Sequence, residues 1–316
     1  MLDIVADPMR VSVVIVNWNS CEDLDTCLGS LARQTHRDLE IIVVDNGSSD
    51  RSCALVRERY PGVRLVETGE NLGFAGGCNR GIAVADGEWI LLLNNDTSVE
   101  PDWASALVDA ARSVPARCGM LQSMMVYTSR PGIVNTTGIT LLRGGDSVDR
   151  GEGDSVDRWR DASEIFCPSA GAAAYRRAML DEVKLSTGWL DQTYFLYVED
   201  VDLGWRARLA GWSARYVPDS VVHHKWHGSS DRHGKPKLHE LVTINRLRTF
   251  LKNASPAAFA RATPRFVEST AQMVRGSGPR SLVRLRAGAR SSWALRGEVD
   301  RLLRTERRAV EDRWMT

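Results

Sequence analysis

Four short runs constrain this chain more than any other feature. Residues 11–16 read VSVVIV, 40–44 EIIVV, 63–66 VRLV and 89–93 WILLL. They are β-rich and mostly unbroken by polar residues, and a strand of that kind needs cover on both faces. Helical patterns separate them. Residues 21–34 carry Leu24, Cys27, Leu28 and Leu31 at helical spacing, and 52–60 and 74–85 follow. Strands alternating with helices predict βαβ units, hence an α/β chain with a Rossmann-like, mostly parallel sheet flanked by helices. A further helix is expected over 101–113 and a further strand over 119–127. From 128 to 161 the chain is rich in Gly and Asp and holds GDSVDR twice, at 145–150 and 153–158. Two copies cannot stack into a solenoid, and their spacing is not that of a calcium loop. A mobile loop is expected there.

At 316 residues, 43% hydrophobic and 26% charged, the chain has room for one large domain plus an extension. No apolar run reaches the roughly 18 residues of a membrane-spanning helix. The opening MLDIVADPMR lacks the basic and apolar regions of a signal peptide. The six cysteines form no CxxC pair and read as reduced thiols in a cytoplasmic protein. The net charge of +1 is unevenly spread: residues 254–316 hold 13 Arg, no Lys and 6 acids, on an acidic body. Such a tail suits a solvated helical face, or a contact with anionic headgroups or nucleic acid. Leu282, Val283, Trp293 and Leu295 among its arginines equally suit an interfacial helix, packing on the body, or a homodimer. No nucleic-acid partner is expected. The organisation is thus a tail over 1–10, a main domain over 11–253 and a basic helical extension over 254–316.

In an open parallel sheet, ligands bind beyond the carboxyl ends of the strands. Here those ends are polar: Asn17-Trp18-Asn19, then Asp45-Asn46-Gly47-Ser48-Ser49-Asp50, then Asn94-Asn95-Asp96. The Gly-rich stretch NLGFAGGCNRG (71–81) lies between, and together they predict a nucleotide crevice. No GxGxxG follows the first strand and no GxxxxGK[ST] occurs, which argues against a dinucleotide dehydrogenase and a P-loop enzyme. Asp96 by itself reads as a turn or helix-capping residue. Further on, WLDQTYFLYVEDVDLGWR (189–206) brings Glu199, Asp200 and Asp202 together. They fit a helix N-terminus with an Asp202–Arg206 pair one turn apart, and an acid fixed at a helix start also suits a general base. His223, His224, His227 and His233 match no common zinc spacing, so a protein-only zinc site is disfavoured.

These segments, in this order, resemble glycosyltransferase family 2, the inverting enzymes of GT-A fold. NLGFAGGCNRG resembles the variant of its rhamnosyltransferase-like and galactofuranosyltransferase-like members, and SAGAAAYRRAML (169–180), the 189–206 stretch and VVHHKW (221–226) continue the pattern in the family's order. The resemblance covers roughly residues 11–253. It implies that Asn17, Asn19, Asp45, Asn71, Gly73, Phe74, Asn79, Asn94 and Asn95 contact the nucleotide-sugar. Gly171, Trp189, Asp191 and Glu199 would lie on the sugar or acceptor side. Asp200 would be the catalytic base, and Asp96 and His224 (or His223, since the doublet leaves the choice open) would hold Mg²⁺ or Mn²⁺. Asn94 departs from the family, standing where it has the first Asp of its DxD motif. The implied donor is dTDP-rhamnose or a UDP-sugar, and the implied acceptor a glycan or lipid-linked sugar in cell-wall or polysaccharide biosynthesis, on the inner face of the plasma membrane. Two other classes fit less well: a nucleotidyltransferase, which lacks its early Gly-rich basic loop here, and a non-catalytic binding protein on the same fold.

Overall fold

In the computed structural model, residues 9–226 and 235–316 are described, with the backbone alone for Lys235. His227 and His233 lie outside the described residues. The first half alternates as the sequence predicts: β1 (Val11–Asn17), α1 (Cys21–Leu31), β2 (Leu39–Asp45), α2 (Ser52–Arg59), β3 (Arg64–Glu67), α3 (Gly73–Val84) and β4 (Trp89–Leu93). Helix α1 stops at Leu31, short of Gln34, whose amide instead bonds Glu100 O and Ala104 N. Strand β1 pairs in parallel with β2 on one side and β4 on the other, and β2 pairs with β3. Val13, Ile15 and Val43 enter one apolar layer, and Val14, Ile42 and Val44 the layer across the sheet. That two-sided burial is why the runs show no polar alternation. Each fully buried Val or Ile contributes roughly 1.5–3 kcal/mol.

Beyond β4 come β5 (Thr97–Val99), α4 (Trp103–Ser113) and β6 (Cys118–Tyr127), all ten residues of β6 being buried. Asp96 caps no helix, because the chain enters β5 directly after it and α4 begins only at Trp103. The 128–161 segment is not the loop expected from its composition. It forms β7 (Val134–Thr136), β8 (Ile139–Leu141), β9 (Ser147–Asp149) and a 3-10 turn at Val156–Trp159. The two GDSVDR copies differ in structure. The first makes β9, which pairs with β8. In the second, Ser155 caps the 3-10 turn by accepting from Asp157 N. Tertiary anchors decide the first copy: Asp146 pairs with Arg246 at 2.7 Å and Arg265 at 3.0 Å.

Then follow β10 (Ser163–Glu164), β11 (Ala172–Arg176), α5 (Arg177–Glu182), α6 (Glu199–Leu209), β12 (Ser213–His224), α7 (Lys235–Asn253), α8 (Pro256–Ser277), α9 (Arg280–Leu302) and α10 (Arg307–Trp314). The sheet order is β10-β12-β6-β11-β4-β1-β2-β3, with β5 added to β12 and β7 to β6. Strand β11 is antiparallel between β4 and β6, while β12 runs parallel to β6, so the sheet is mixed but mostly parallel in its first half. Helix α7 packs against α8 and α9.

The basic tail divides into two sets of arginines. Arg265, Arg284 and Arg313 pair with Asp146, Glu240 and Glu164. Arg296 donates to the carbonyls of Leu251 and Ala254 at the end of α7. By contrast, no ion pair among the described residues involves Arg280, Arg286 or Arg290. Near them Val283 and Trp293 are 69% and 63% exposed, whereas Leu295 is buried. Among the described residues no helix is long and apolar enough to cross a membrane.

Candidate active site

A cavity of about 730 Å³ opens along the carboxyl ends of β1, β2 and β4, a size typical of small-molecule sites. One wall is Val16, Trp18, Asn46, Asn71, Gly73, Phe74, Asn94, Asn95 and Asp96; Ser169–Gly171, Glu199 and Asp200 line it further in. The opposite wall is built by Asn135, Ser147, Asp149 and Glu152 from the segment read as a loop, with Leu238 and Val242 of α7. Nothing in the composition of 128–161 signals this wall. It exists because Arg246, Arg265 and the C-terminal residues hold the β8–β9 hairpin there, Thr316 N bonding Leu141 O at 3.1 Å.

Several polar strand-end residues hold the wall together. Asn95 Nδ2 donates to Asn17 Oδ1 at 2.8 Å, and Asn17 is fully buried behind it. Asn19 accepts from Ser49 N at 2.7 Å, away from the cavity lining. Asp45 also lies behind the wall, where one carboxylate oxygen accepts Ser48 N at 2.9 Å. Asn71 Oδ1 accepts from Asn46 and from Gly73 N. The Gly-rich stretch serves packing. A Cβ on Gly77 or Gly81 would meet Val16 or Val14 on β1 at 2.7 and 2.2 Å, so these glycines let α3 lie close on the sheet. Gly73 has φ +73°, and a side chain there would strike Phe195 O at 2.3 Å; Phe74 N donates to that carbonyl at 2.6 Å. Gly171 faces the Asn94 amide, where a Cβ would stand 3.2 Å from Nδ2.

Besides Asn17, Asn19 and Asp45, three more predicted site residues are not at the cavity. Asn79 has its whole amide engaged with Leu190, donating to its O at 2.7 Å and accepting from its N at 3.0 Å. Trp189 donates to Asp181 at 2.8 Å. Asp191 is buried on Lys252 at 2.6 Å. Burial alone would raise the Asp191 pKa, but the Lys252 ammonium and Arg248 overrule it and hold the carboxyl well below the usual range. The sequence gives the residue types, yet their spacing does not show which way a turn-rich segment will face.

Asp96 and His224 converge across the cavity, Oδ1 to Nε2 at 3.2 Å, both side chains nearly buried. Successive residues on a strand point to opposite faces. The next residue back on β12, His223, therefore turns away and meets Glu100 at 2.6 Å. A carboxylate and an imidazole nitrogen facing one space fit a divalent cation. Among the described residues no third His, Cys, Asp or Glu joins them, so a cation there needs ligands from elsewhere, such as a diphosphate.

Helix α6 starts at Glu199, as the acid cluster predicts, directly after Tyr197 and Val198, both with φ of +70°. Asp200 accepts N–H bonds from Ala170 at 3.0 Å and Val201 at 2.8 Å. Burial raises its pKa, and those N–H groups oppose the rise. Glu199 is pushed higher, by burial and then by the adjacent Asp200 charge. Asp149, opposite, is raised to about 6 by burial, with Asp200 adding to the rise and a Thr136 hydrogen bond opposing it. One face of α7 fixes the segment that carries Asp200. Asn245 Nδ2 lies 3.0 Å from the carbonyls of Tyr194, Leu196 and Tyr197. Arg248 reaches Thr193 O, and Lys252 bridges Asp191 and Asp202. The predicted Asp202–Arg206 pair forms at 3.0 Å and is fully buried.

Residues 12–184 match the family model described as Glycosyl transferase family 2. The chain belongs to glycosyltransferase family 2. N-acetylglucosaminyl-diphospho-decaprenol L-rhamnosyltransferase of Mycobacterium tuberculosis is 32% identical over 253 residues, covering 69% of this chain and 76% of that protein. The putative glycosyltransferase EpsH of Bacillus subtilis is 26% identical over 235 residues, 70% of this chain and 62% of that one. Two solved structures share the fold. GalNAc-T7 with UDP, GalNAc and Mn²⁺ superimposes with TM-score 0.60 at 18% identity, over 78% of this chain and 48% of that chain. The mannosyltransferase PcManGT of Pyrobaculum calidifontis with GDP-Man and Mn²⁺ gives 0.56 at 17%, over 99% and 90%. The family 2 chain is a glycosyltransferase with a GT-A-type sheet and C-terminal helices, and its sequence is rhamnosyltransferase-like.

Proposed function

We propose that this glycosyltransferase moves a sugar, rhamnose from dTDP-rhamnose in the first instance, onto a hydroxyl of a lipid-linked glycan with inversion. The observation that carries the reading is the arrangement of Asp96 and His224 facing one another in the cavity that also exposes Asp200. A UDP-linked hexose, galactofuranose included, is the alternative donor. Trp18, Asn46, Asn71, Phe74 and Asn95 form the nucleotide side, with Asp45 behind them. Asp96 and His224 would hold Mg²⁺ or Mn²⁺ together with the donor diphosphate, and the cation would supply charge stabilisation to the departing nucleoside diphosphate. Asn94 contributes an amide and no charge, so affinity for the free cation is low. Asp200, the less strongly shifted of the two adjacent acids, takes the acceptor proton as the acceptor oxygen bonds the anomeric carbon and the bond to the diphosphate breaks. No nucleophilic side chain is needed for a single displacement.

The test is nucleoside diphosphate release from a panel of dTDP-, UDP- and GDP-sugars with a polyprenyl-diphosphate-linked acceptor. EDTA should abolish turnover and Mn²⁺ restore it. His224→Ala should lose at least 10-fold in Mn²⁺ affinity, in line with loss of a ligand-shell interaction, while His223→Ala keeps it. Turnover that is unchanged in EDTA removes Asp96 and His224 from the chemistry, and pyrophosphate release in place of nucleoside diphosphate would point to nucleotidyl transfer.

We also assign the exposed α9 stripe of Leu282, Val283, Arg286, Arg290 and Trp293 to peripheral contact with an anionic membrane, at the cytoplasmic face where a lipid-linked acceptor lies. Apolar residues between arginines at helical spacing suit an interfacial helix. The full chain should float with anionic vesicles and not with zwitterionic ones. The Arg286→Glu, Arg290→Glu, Trp293→Ser variant should stay at the bottom of the gradient. Equal flotation of this variant excludes the stripe, and dimers lost in the same variant by sedimentation assign it to self-association.

A further inference from the structure

The imidazole of His224 is held from behind. Asn135, 1% exposed on β7, places Oδ1 2.8 Å from His224 Nδ1. Strands β7 and β12 lie on opposite edges of β6, so this contact spans the width of β6. Its reach has a local cause. The β6–β7 register passes from Met125↔Thr136 to Val126↔Val134, leaving Asn135 as the unpaired extra residue. A bulge of this kind re-aims the side chain it carries. The Asn135 side chain also meets the Tyr127 hydroxyl. It belongs to a polar row with Tyr127, whose hydroxyl donates to Glu152 at 2.8 Å. The Trp226 ring stands edge-on to His224 at 5.6 Å between centroids and closes the remaining side.

We propose that Asn135 is a positioning residue that fixes the tautomer and aim of His224, presenting the Nε2 lone pair to a divalent cation beside Asp96. The inference rests on the metal reading above. An amide oxygen can only accept, so the nitrogen facing it, Nδ1, must carry the ring proton. Nε2 faces Asp96 Oδ1 at 3.2 Å, which also only accepts; a bound cation would take the place of a proton on Nε2 and use its lone pair. Partners of this sort orient metal-bound histidines, and their loss commonly weakens metal affinity about 10–100-fold. Asn135 touches neither sugar nor phosphate in this role. It acts through His224.

Two measurements test this. In the wild-type protein with UDP and Mg²⁺ bound, the imidazole ¹⁵N shifts should show protonated Nδ1 and unprotonated Nε2; the opposite arrangement overturns the proposal. Mn²⁺ binding in the presence of UDP, followed by the EPR signal of free Mn²⁺, should weaken 10–100-fold in Asn135→Ala. Asn135→Asp, which keeps the acceptor, should bind Mn²⁺ within a few-fold of wild type. UDP binding in EDTA should be equal in all three. If Asn135→Ala does not fold, Asn135→Leu keeps the volume and removes the acceptor for the same comparison. Wild-type Mn²⁺ affinity in the folded acceptor-less variant, with loss in His224→Ala, refutes the role of Asn135. The same holds if Asp and Ala substitutions weaken binding alike. Wild-type affinity in His224→Ala instead refutes the metal reading itself.

Discussion

Asp200→Asn should fold and bind nucleoside diphosphate like the wild type, and lose about 10²–10⁴-fold in transfer rate, the usual contribution of a positioned general base. The substitution removes a proton acceptor at one atom and leaves the shape of the site intact. The amide can still accept one N–H bond from Ala170 or Val201, so α6 keeps its start. The wild-type pH profile carries the same assignment. Burial raises the Asp200 pKa above the ordinary carboxylate value. The ionised base is therefore lost, as pH falls, earlier than for an exposed Asp, and kcat/KM should decline on the acid side from above the usual carboxylate range. Single-turnover transfer and a binding titration on the same variant separate the two effects. Full transfer by Asp200→Asn would end the assignment.

The parts of the fold legible in the sequence share one property: their signal is local. Residues 11–16, 40–44 and 89–93 announce strands because both faces of each are buried within a short window. Strand β11 could not be read as the antiparallel partner of β4, because its AAAYR carries no sign of direction. The 128–161 segment was misleading because Gly and Asp composition favours loops, whereas its structure comes from distant partners. Asp146 is held by Arg246 and Arg265, some 100 residues on. Two identical hexapeptides then adopt different structures, and only tertiary context distinguishes them.

The candidate site shows the same division. Asp96, Asn94, Asn95, Gly73 and Phe74 sit at strand or helix ends, where the alternation itself points to a crevice, and they do line the cavity. Which of His223 and His224 faces Asp96 depends on strand phase, which a single residue of register decides. The wall of Asn135, Asp149 and Glu152 and the α7 face of Asn245, Arg248 and Lys252 gave no local signal. Their roles depend on which segment each meets.

The α7 face leads to the largest expected loss of stability. Lys252→Met should destabilise the protein by about 3–5 kcal/mol, the range for breaking a buried ion pair from one side, and lower Tm by the order of 10 °C. Lys252 Nζ is fully buried, 2.6 Å from Asp191 and 3.0 Å from Asp202. Asp202 retains Arg206 and Asn253. Asp191 retains Thr193 and an Arg248 nitrogen at 3.8 Å, and so becomes the under-compensated charge. The pH dependence has a definite sign. The folded pKa of Asp191 is depressed, so its contribution is full above the ordinary carboxylate pKa and is lost as pH falls toward the lowered value. The wild-type advantage in Tm should therefore be greatest near neutrality and narrow below about pH 4. Asp191→Asn added to Lys252→Met removes the stranded charge and should recover part of the loss. Because the 191–202 segment leads into α6, Lys252→Met should also lower kcat below the melting range. A Tm within 2 °C of wild type at neutral pH would show that this bridge does not hold the segment carrying Asp200.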